Sequence, residues 1–342
     1  MEDNKTSDIS CEQNTEDDYV IDVRGLVVHY ETADGIVEAV NGVDLRIARG
    51  ETLGLVGETG AGKTTIALAI MGLLPVPPSN IIRGEILING MDIRRKSERE
   101  MRDIRGSVAS MIFQDPMTAL NPTMKVGDQI AEVIKLHRNV SKREAVRIGA
   151  DMLQMVGIPP DRYYEYPHQF SGGMKQRVVI AIALACRPEF VIADEPTTAL
   201  DVTIQAQILD LMRNLKSELN SSTLLITHDF GVVAELCDKC AVIYAGQIVE
   251  SGTIDQIFDK PRHPYTIGLF DSLPKIGQDV DRLKPVRGLM ANPMDLPSWC
   301  SFYDRCDHNN EQCVASEPEL VEVEPGHLVR CFRSCTGEEA AG

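Results

Sequence analysis

Gly57-Glu58-Thr59-Gly60-Ala61-Gly62-Lys63-Thr64 matches the pattern G-x-x-x-x-G-K-[ST], and it lies between an apolar run, Thr52 to Val56, and a helix-like stretch, Thr65 to Leu74. Glycine has no side chain to obstruct the backbone, so consecutive N–H groups can curl around phosphate oxygens. The helix that follows adds the partial positive charge of its N-terminus. In such a loop Lys63 reaches the outer phosphates and the Thr64 hydroxyl serves Mg²⁺.

Further along, Phe190-Val191-Ile192-Ala193-Asp194-Glu195 is a short apolar run ending in two acids. A buried parallel strand that delivers carboxylates to a sheet edge has this form. Asp194 is then the acid on the Mg²⁺ side and Glu195 the general base for water. Just before this strand, Phe170-Ser171-Gly172-Gly173-Met174-Lys175-Gln176-Arg177 forms a second anion trap: a hydroxyl and two glycine N–H groups opening a helix expected over Met174 to Cys186. Two traps in one chain predict a nucleotide sandwiched between two copies of the domain.

The 342 residues, 43% of them hydrophobic, suffice for one large domain and a smaller one. With 34 basic against 51 acidic residues the net charge is −17, which argues against nucleic acid as a partner because phosphate-backbone binding needs clustered positive charge. Residues 64–82 carry no charge, yet Pro75, Pro77 and Pro78 interrupt them, so no membrane span is expected there. The acid-rich start, residues 1–19, reads as a disordered leader rather than a signal peptide. Alternating apolar residues from Val20 to Ile47 predict antiparallel strands, strands near Phe190, Leu224 and Cys240 extend the core, and periodicity over Val126 to His137 and Lys142 to Val156 predicts an inserted helical unit. Pro261 marks the expected end of the nucleotide domain.

The second trap closely resembles the signature sequence of ATP-binding cassette proteins. The resemblance implies an α/β fold: a P-loop nucleotide-binding domain over residues 20–262, with a RecA-like core, an antiparallel β subdomain and a helical subdomain at about 115–185. It also implies a small extension over 263–342. Gln114 in Met111-Ile112-Phe113-Gln114-Asp115-Pro116 matches the family's glutamine loop, which serves Mg²⁺ and faces the membrane subunits; His228, after Leu224-Leu225-Ile226-Thr227, matches the switch histidine at the γ-phosphate. Asp201 in Thr198-Ala199-Leu200-Asp201 matches the loop that crosses to the partner, and Tyr30 fits the aromatic that stacks on adenine. Gly57, Thr59, Gly60, Ala61, Gly62, Lys63, Thr64 and Thr65 would hold ATP, while Ser171, Gly172, Gly173 and Met174 would act on the partner's ATP. Met174 stands where the commonest signature has Gln.

The tail narrows the branch. His263-Pro264-Tyr265-Thr266, with Ser272-Leu273-Pro274, resembles the junction motif of ATPases in dipeptide and oligopeptide importers and their nickel-importing relatives. The resemblance implies an ATPase subunit paired with a second, identical or paralogous cassette. It would dock on two membrane permease subunits at the cytoplasmic face of the cell membrane, served by an extracytoplasmic solute-binding protein. Nickel or another small solute, or a soluble cassette ATPase acting on ribosomes or nucleic acid, are the alternatives. Four of nine cysteines fall as Cys300-x5-Cys306-x6-Cys313-x17-Cys331. Clustered thiols without a secretory signal suggest metal before disulfide, with an iron–sulfur cluster or tetrahedral zinc as candidates. The importer resemblance favours [4Fe–4S], although Trp299 and Asp304 depart from its usual Gly and Pro. Cys335 is an alternative fourth ligand and His308 a further zinc donor. Cys237 and Cys240 have redox-motif spacing but straddle a helix end and a strand start, where packing accounts for them.

Overall fold

The computed structural model describes residues 18–198, 200–273 and 285–335. The chain opens with two long antiparallel strands, β1 (Tyr19–Thr32) and β2 (Gly35–Ala48), whose residues Val23, Leu26, Val28, Val40, Val43, Leu45 and Ile47 are all buried. Most of the leader expected over residues 1–19 lies outside the described residues; Tyr19 already belongs to β1. β3 (Thr52–Val56) then enters the interior, α1 (Lys63–Ile70) follows, and the chain returns to the first layer through β4 (Ser79–Ile88) and β5 (Met91–Asp92). This layer is a four-stranded sheet in the order β2-β1-β4-β5, antiparallel throughout. The uncharged stretch 64–82 is thus divided among α1, a proline-rich turn and the start of β4. Among the described residues no helix is long and apolar enough to cross a membrane.

α2 (Glu98–Ile104) starts at a capping box formed by Ser97 and Glu100 and leads to β6 (Ala109–Ile112). An insert follows, with α3 (Pro116–Ala119), α4 (Val126–His137) and α5 (Lys142–Met155). Tyr163 fills its centre, and a Cβ on Gly127 would lie 2.1 Å from that ring, so only glycine lets α4 approach. Burial pushes the Tyr163 hydroxyl up to about 12. α6 (Gly172–Leu184) leads back to the core, which continues as β7 (Phe190–Asp194), α7 (Val202–Leu219), β8 (Ser222–Thr227), α8 (Phe230–Leu236), β9 (Lys239–Tyr244), β10 (Gln247–Thr253) and α9 (Ile254–Asp259).

The C-terminal stretch adds α10 (Pro264–Asp271), α11 (Glu311–Ala315), β11 (Val321–Glu324), β12 (His327–Val329) and α12 (Phe332–Cys335). The second sheet has eight strands in the order β11-β12-β10-β9-β3-β8-β7-β6. From β9 to β6 neighbours run parallel, and β10, β12 and β11 join antiparallel. β3, β6, β7 and β8 are buried at every position, because layers cover both faces; their sequences are accordingly apolar-rich rather than alternating.

The extension is therefore part of the core sheet. Its anchor is Glu250, fully buried, whose carboxylate accepts from the Arg262 N–H at 2.6 Å and the His263 N–H at 3.0 Å and lies 2.8 Å from His327 Nε2. A buried carboxyl group is tolerated only where hydrogen-bond partners surround it. Phe302 packs against Tyr244 and Tyr265, with ring centroids 5.2 and 5.4 Å away.

Candidate active site

Four of the loops expected to carry chemistry leave the carboxyl ends of strands in the parallel sheet. The phosphate loop follows β3, Gln114 follows β6, Glu195 follows β7 and His228 follows β8. Those four strands are consecutive neighbours, so residues distant in sequence are delivered to one edge, where open α/β sheets bind ligands.

In the phosphate loop, Gly62 caps α1 in a left-handed conformation (φ 104°), and a Cβ there would meet the Ala39 carbonyl oxygen at 2.4 Å. Lys63 is buried and its Nζ donates to the carbonyls of Gly57 at 2.6 Å and Glu58 at 3.0 Å. Burial pulls its pKa down, opposed by the carboxylates of Glu195, Asp194 and Glu58. Thr59, Gly60 and Thr64 are exposed, Gly57 and Ala61 buried and Thr65 half-buried. Tyr30 is packed against the first core layer, its hydroxyl 3.3 Å from that of Thr65.

Asp194 is buried, and burial raises its pKa against a lowering hydrogen bond from Thr64. Its Oδ1 has no hydrogen-bond partner. An orphaned carboxylate oxygen beside a threonine hydroxyl is an oxygen donor set suited to Mg²⁺. Glu195 follows in a left-handed backbone conformation (φ 48°), strained for a residue with a side chain, and its N–H donates to Ile226 O at 2.8 Å. Three groups meet its carboxylate: Gln114 Nε2 at 2.9 Å, the Thr198 hydroxyl at 2.9 Å and His228 Nδ1 at 3.4 Å. Gln205 of α7 also donates to Asp229, the cap of α8 next to His228.

The second anion trap lies on a separate element. Ser171 caps α6 by accepting from the Met174 N–H, and Ser171 and Gly172 are exposed. Gly173 is buried where a Cβ would meet Ile204 Cγ2 at 2.5 Å. Met174 Sδ accepts from Arg162 Nη1 at 3.2 Å, which gives the departure from Gln a local partner. Asp201 caps α7 through the Ile204 N–H. Two contacts escaped sequence reasoning. Thr198 opens the motif that ends at Asp201 and had no role of its own, and Glu58, a variable position of its motif, meets Arg305 from the far end of the chain.

Mixed sheet, phosphate loop and signature element together define an ATP-binding cassette. Residues 40–198 match the ABC transporter family, and residues 249–313 match the oligopeptide/dipeptide transporter C-terminal region. The oligopeptide transport ATP-binding protein AppD of Bacillus subtilis is 46% identical over 315 residues, covering 92% of this chain and 96% of its own. OppD of Escherichia coli is 47% identical (92% and 94% covered), and the dipeptide transport protein DppD of B. subtilis is 47% identical (92% and 94%). Among solved structures, the dimeric post-hydrolysis state of the ATP-binding cassette MJ0796 bound to ADP and Pi is similar at a TM-score of 0.62 and 25% identity, covering 68% of this chain and 98% of that one. The chain belongs to this family: it is an ABC ATPase of the oligopeptide and dipeptide transport group.

The expected [4Fe–4S] or zinc site is overturned. Cys300, Cys306, Cys313 and Cys331 do border one small cavity. Even so, among the described residues no group of three or more His, Cys, Asp or Glu side chains is arranged to hold a metal ion. The thiols are engaged locally: Cys313 Sγ donates to Asn310 Oδ1 at 3.3 Å, and Cys306 Sγ accepts from the His308 N–H at 3.4 Å. Burial pushes the Cys300 thiol up to about 12 and raises those of Cys306 and Cys331. The His308 residue is exposed, and the Cys335 side chain lies outside the described residues. Sequence spacing conveyed the convergence but not the geometry. Cys237 caps the end of α8 and Cys240 is buried in β9, both in packed surroundings.

Proposed function

We propose that this chain hydrolyses ATP to drive the import of dipeptides or oligopeptides. The observation that carries the hydrolytic half is the meeting of Gln114, Thr198 and His228 on Glu195, next to Asp194 and within the electrostatic reach of Lys63. Gly57, Thr59, Gly60, Ala61, Gly62, Lys63, Thr64 and Thr65 hold the polyphosphate, and Tyr30 takes the adenine. Thr64, Asp194 and Gln114 would hold Mg²⁺, which when bound neutralises charge on the β- and γ-phosphates. Glu195 orients a water and takes its proton as the water oxygen bonds to the γ-phosphorus and the bond to the bridging oxygen of ADP breaks. His228 contacts the γ-phosphate. Because Ser171, Gly172, Gly173 and Met174 lie on another element, they serve the ATP of a second cassette, with Asp201 at the crossing.

Closure of two cassettes on ATP is passed to two permease subunits at the cytoplasmic face of the membrane, and hydrolysis reopens them. The peptide itself is selected by those subunits and an extracytoplasmic binding protein. The relatives' names and the match of residues 249–313 support peptide over nickel as cargo. The test is uptake of labelled di-, tri- and longer peptides in a strain lacking this gene, complemented by wild type or by Lys63→Ala. Wild type restores uptake and Lys63→Ala does not; unchanged peptide uptake with lost nickel uptake overturns the peptide reading.

A further inference from the structure

The C-terminal extension reaches into the phosphate loop. Arg305 is packed so that its side chain is only 4% exposed, and it grips both carboxylate oxygens of Glu58: Nη1 to Oε2 at 2.6 Å and Nη2 to Oε1 at 2.9 Å. Its Nε donates to Arg287 O at 2.7 Å, and the guanidinium lies over the rings of Tyr244 and Phe302 at 5.6 and 5.8 Å. A planar fork fixed on both sides sets the position and the orientation of the carboxylate it holds, which a lysine cannot do.

Glu58 is held from every side by groups that matter. Its N–H donates to the Tyr265 hydroxyl at 3.0 Å, and its carbonyl accepts from Lys63 Nζ at 3.0 Å. One residue therefore joins the phosphate-loop lysine to two side chains of the C-terminal stretch. The same stretch touches the tip of the loop, since a Cβ on Gly60 would lie 3.2 Å from Met290 Cε. It then crosses to β2, where the Glu38 N–H donates to Pro293 O at 2.7 Å.

The geometry points to Arg305 as a positioning residue for the nucleotide site: from the extension it fixes the Glu58 turn, and so sets how tightly the loop holds a polyphosphate. This rests on the reading of residues 57–65 as the ATP site. A loop whose N–H groups must converge on phosphate loses affinity when one flank is freed. The effect falls on ligands with a β-phosphate, because Glu58 precedes the N–H groups that cradle it.

The experiment measures affinities of the full-length chain for ATP, ADP and AMP by fluorescence titration, for wild type, Arg305→Met, Arg305→Lys, Glu58→Gln, the Glu58→Gln/Arg305→Met pair and Lys63→Ala. Arg305→Met and Glu58→Gln should each weaken ATP and ADP binding about tenfold and leave AMP unchanged. The double variant should be no worse than Arg305→Met, and Arg305→Lys should fall between. If Arg305→Met fails to fold, Glu58→Gln carries the same test from a side chain that is 31% exposed. A purely structural role for Arg305 predicts a loosened extension with wild-type ATP affinity in the folded variants, and that result overturns the inference. Equal ATP affinity in wild type and Lys63→Ala would instead overturn the nucleotide-site reading beneath it.

Discussion

Glu250→Ala should detach the extension from the sheet while sparing the nucleotide core. The carboxylate is fully buried and faces the N–H groups of Arg262 and His263 and the Nε2 of His327. Truncation leaves these groups without their acceptor, at about 1–3 kcal/mol for each unpaired buried donor, and the new space admits some water. A net loss of about 4 kcal/mol is expected for docking of β12. Because unfolding of so large a chain is not two-state, the loss is best read locally by hydrogen exchange. Protection of the Arg330 amide, which donates to Val249 O at 2.8 Å, should fall about a thousandfold. Amides of β3 should exchange at wild-type rates. Unchanged protection at Arg330 would refute the claim that this buried carboxylate anchors the extension.

The pH dependence follows from a neighbour. His263 is fully buried, its Nδ1 accepts from the Tyr265 N–H, and desolvation lowers its pKa from 6.5 to about 4. The unfolded state binds the extra proton between those values, so stability is full above pH 6.5 and falls by about 3 kcal/mol on acidification to pH 4. His263→Asn, which keeps an acceptor at the cap of α10, should flatten that slope relative to wild type in urea titrations of the extension. Gly173→Ala should cost about 1–3 kcal/mol by forcing α6 off Ile204, read as a lowered melting temperature that Ile204→Ala partly restores. Thr198→Ala removes one of three partners of Glu195 and should lower ATP turnover of the assembled transporter about tenfold with ATP affinity unchanged; a wild-type rate would remove Thr198 from the site.

The glycine loop and the strand ending in paired acids stood out as short local patterns, and His228 through the family resemblance; the structure brings Gln114 and His228 onto Glu195. Residues of β3, β7 and β8 are buried throughout, so their apolar runs stood out. β4 was missed because it starts inside an uncharged, proline-interrupted stretch. β11 and β12 escaped notice for another reason: runs of three or four residues are too short for alternation such as Val321-Glu322-Val323-Glu324 to stand out, and what makes them strands is the pairing of β12 with β10 and of β11 with β12. The cysteines misled because their spacing predicts proximity, which they have around one cavity, while ligation needs three or more side chains arranged about one point, and the described residues offer no such group. The Arg305–Glu58 contact spans the domain and leaves no local signal.

The most direct measurement is ATP turnover of the assembled transporter carrying Glu195→Gln, together with the oligomeric state of its cassettes in ATP. Loss of a general base costs about 10²-fold or more in rate while the ATP contacts remain. Retained ATP binding, collapsed turnover and an accumulated closed, ATP-bound cassette pair are the expected result. Wild-type turnover from a transporter whose two cassettes are both copies of the Glu195→Gln chain would contradict the assignment of Glu195 as the base.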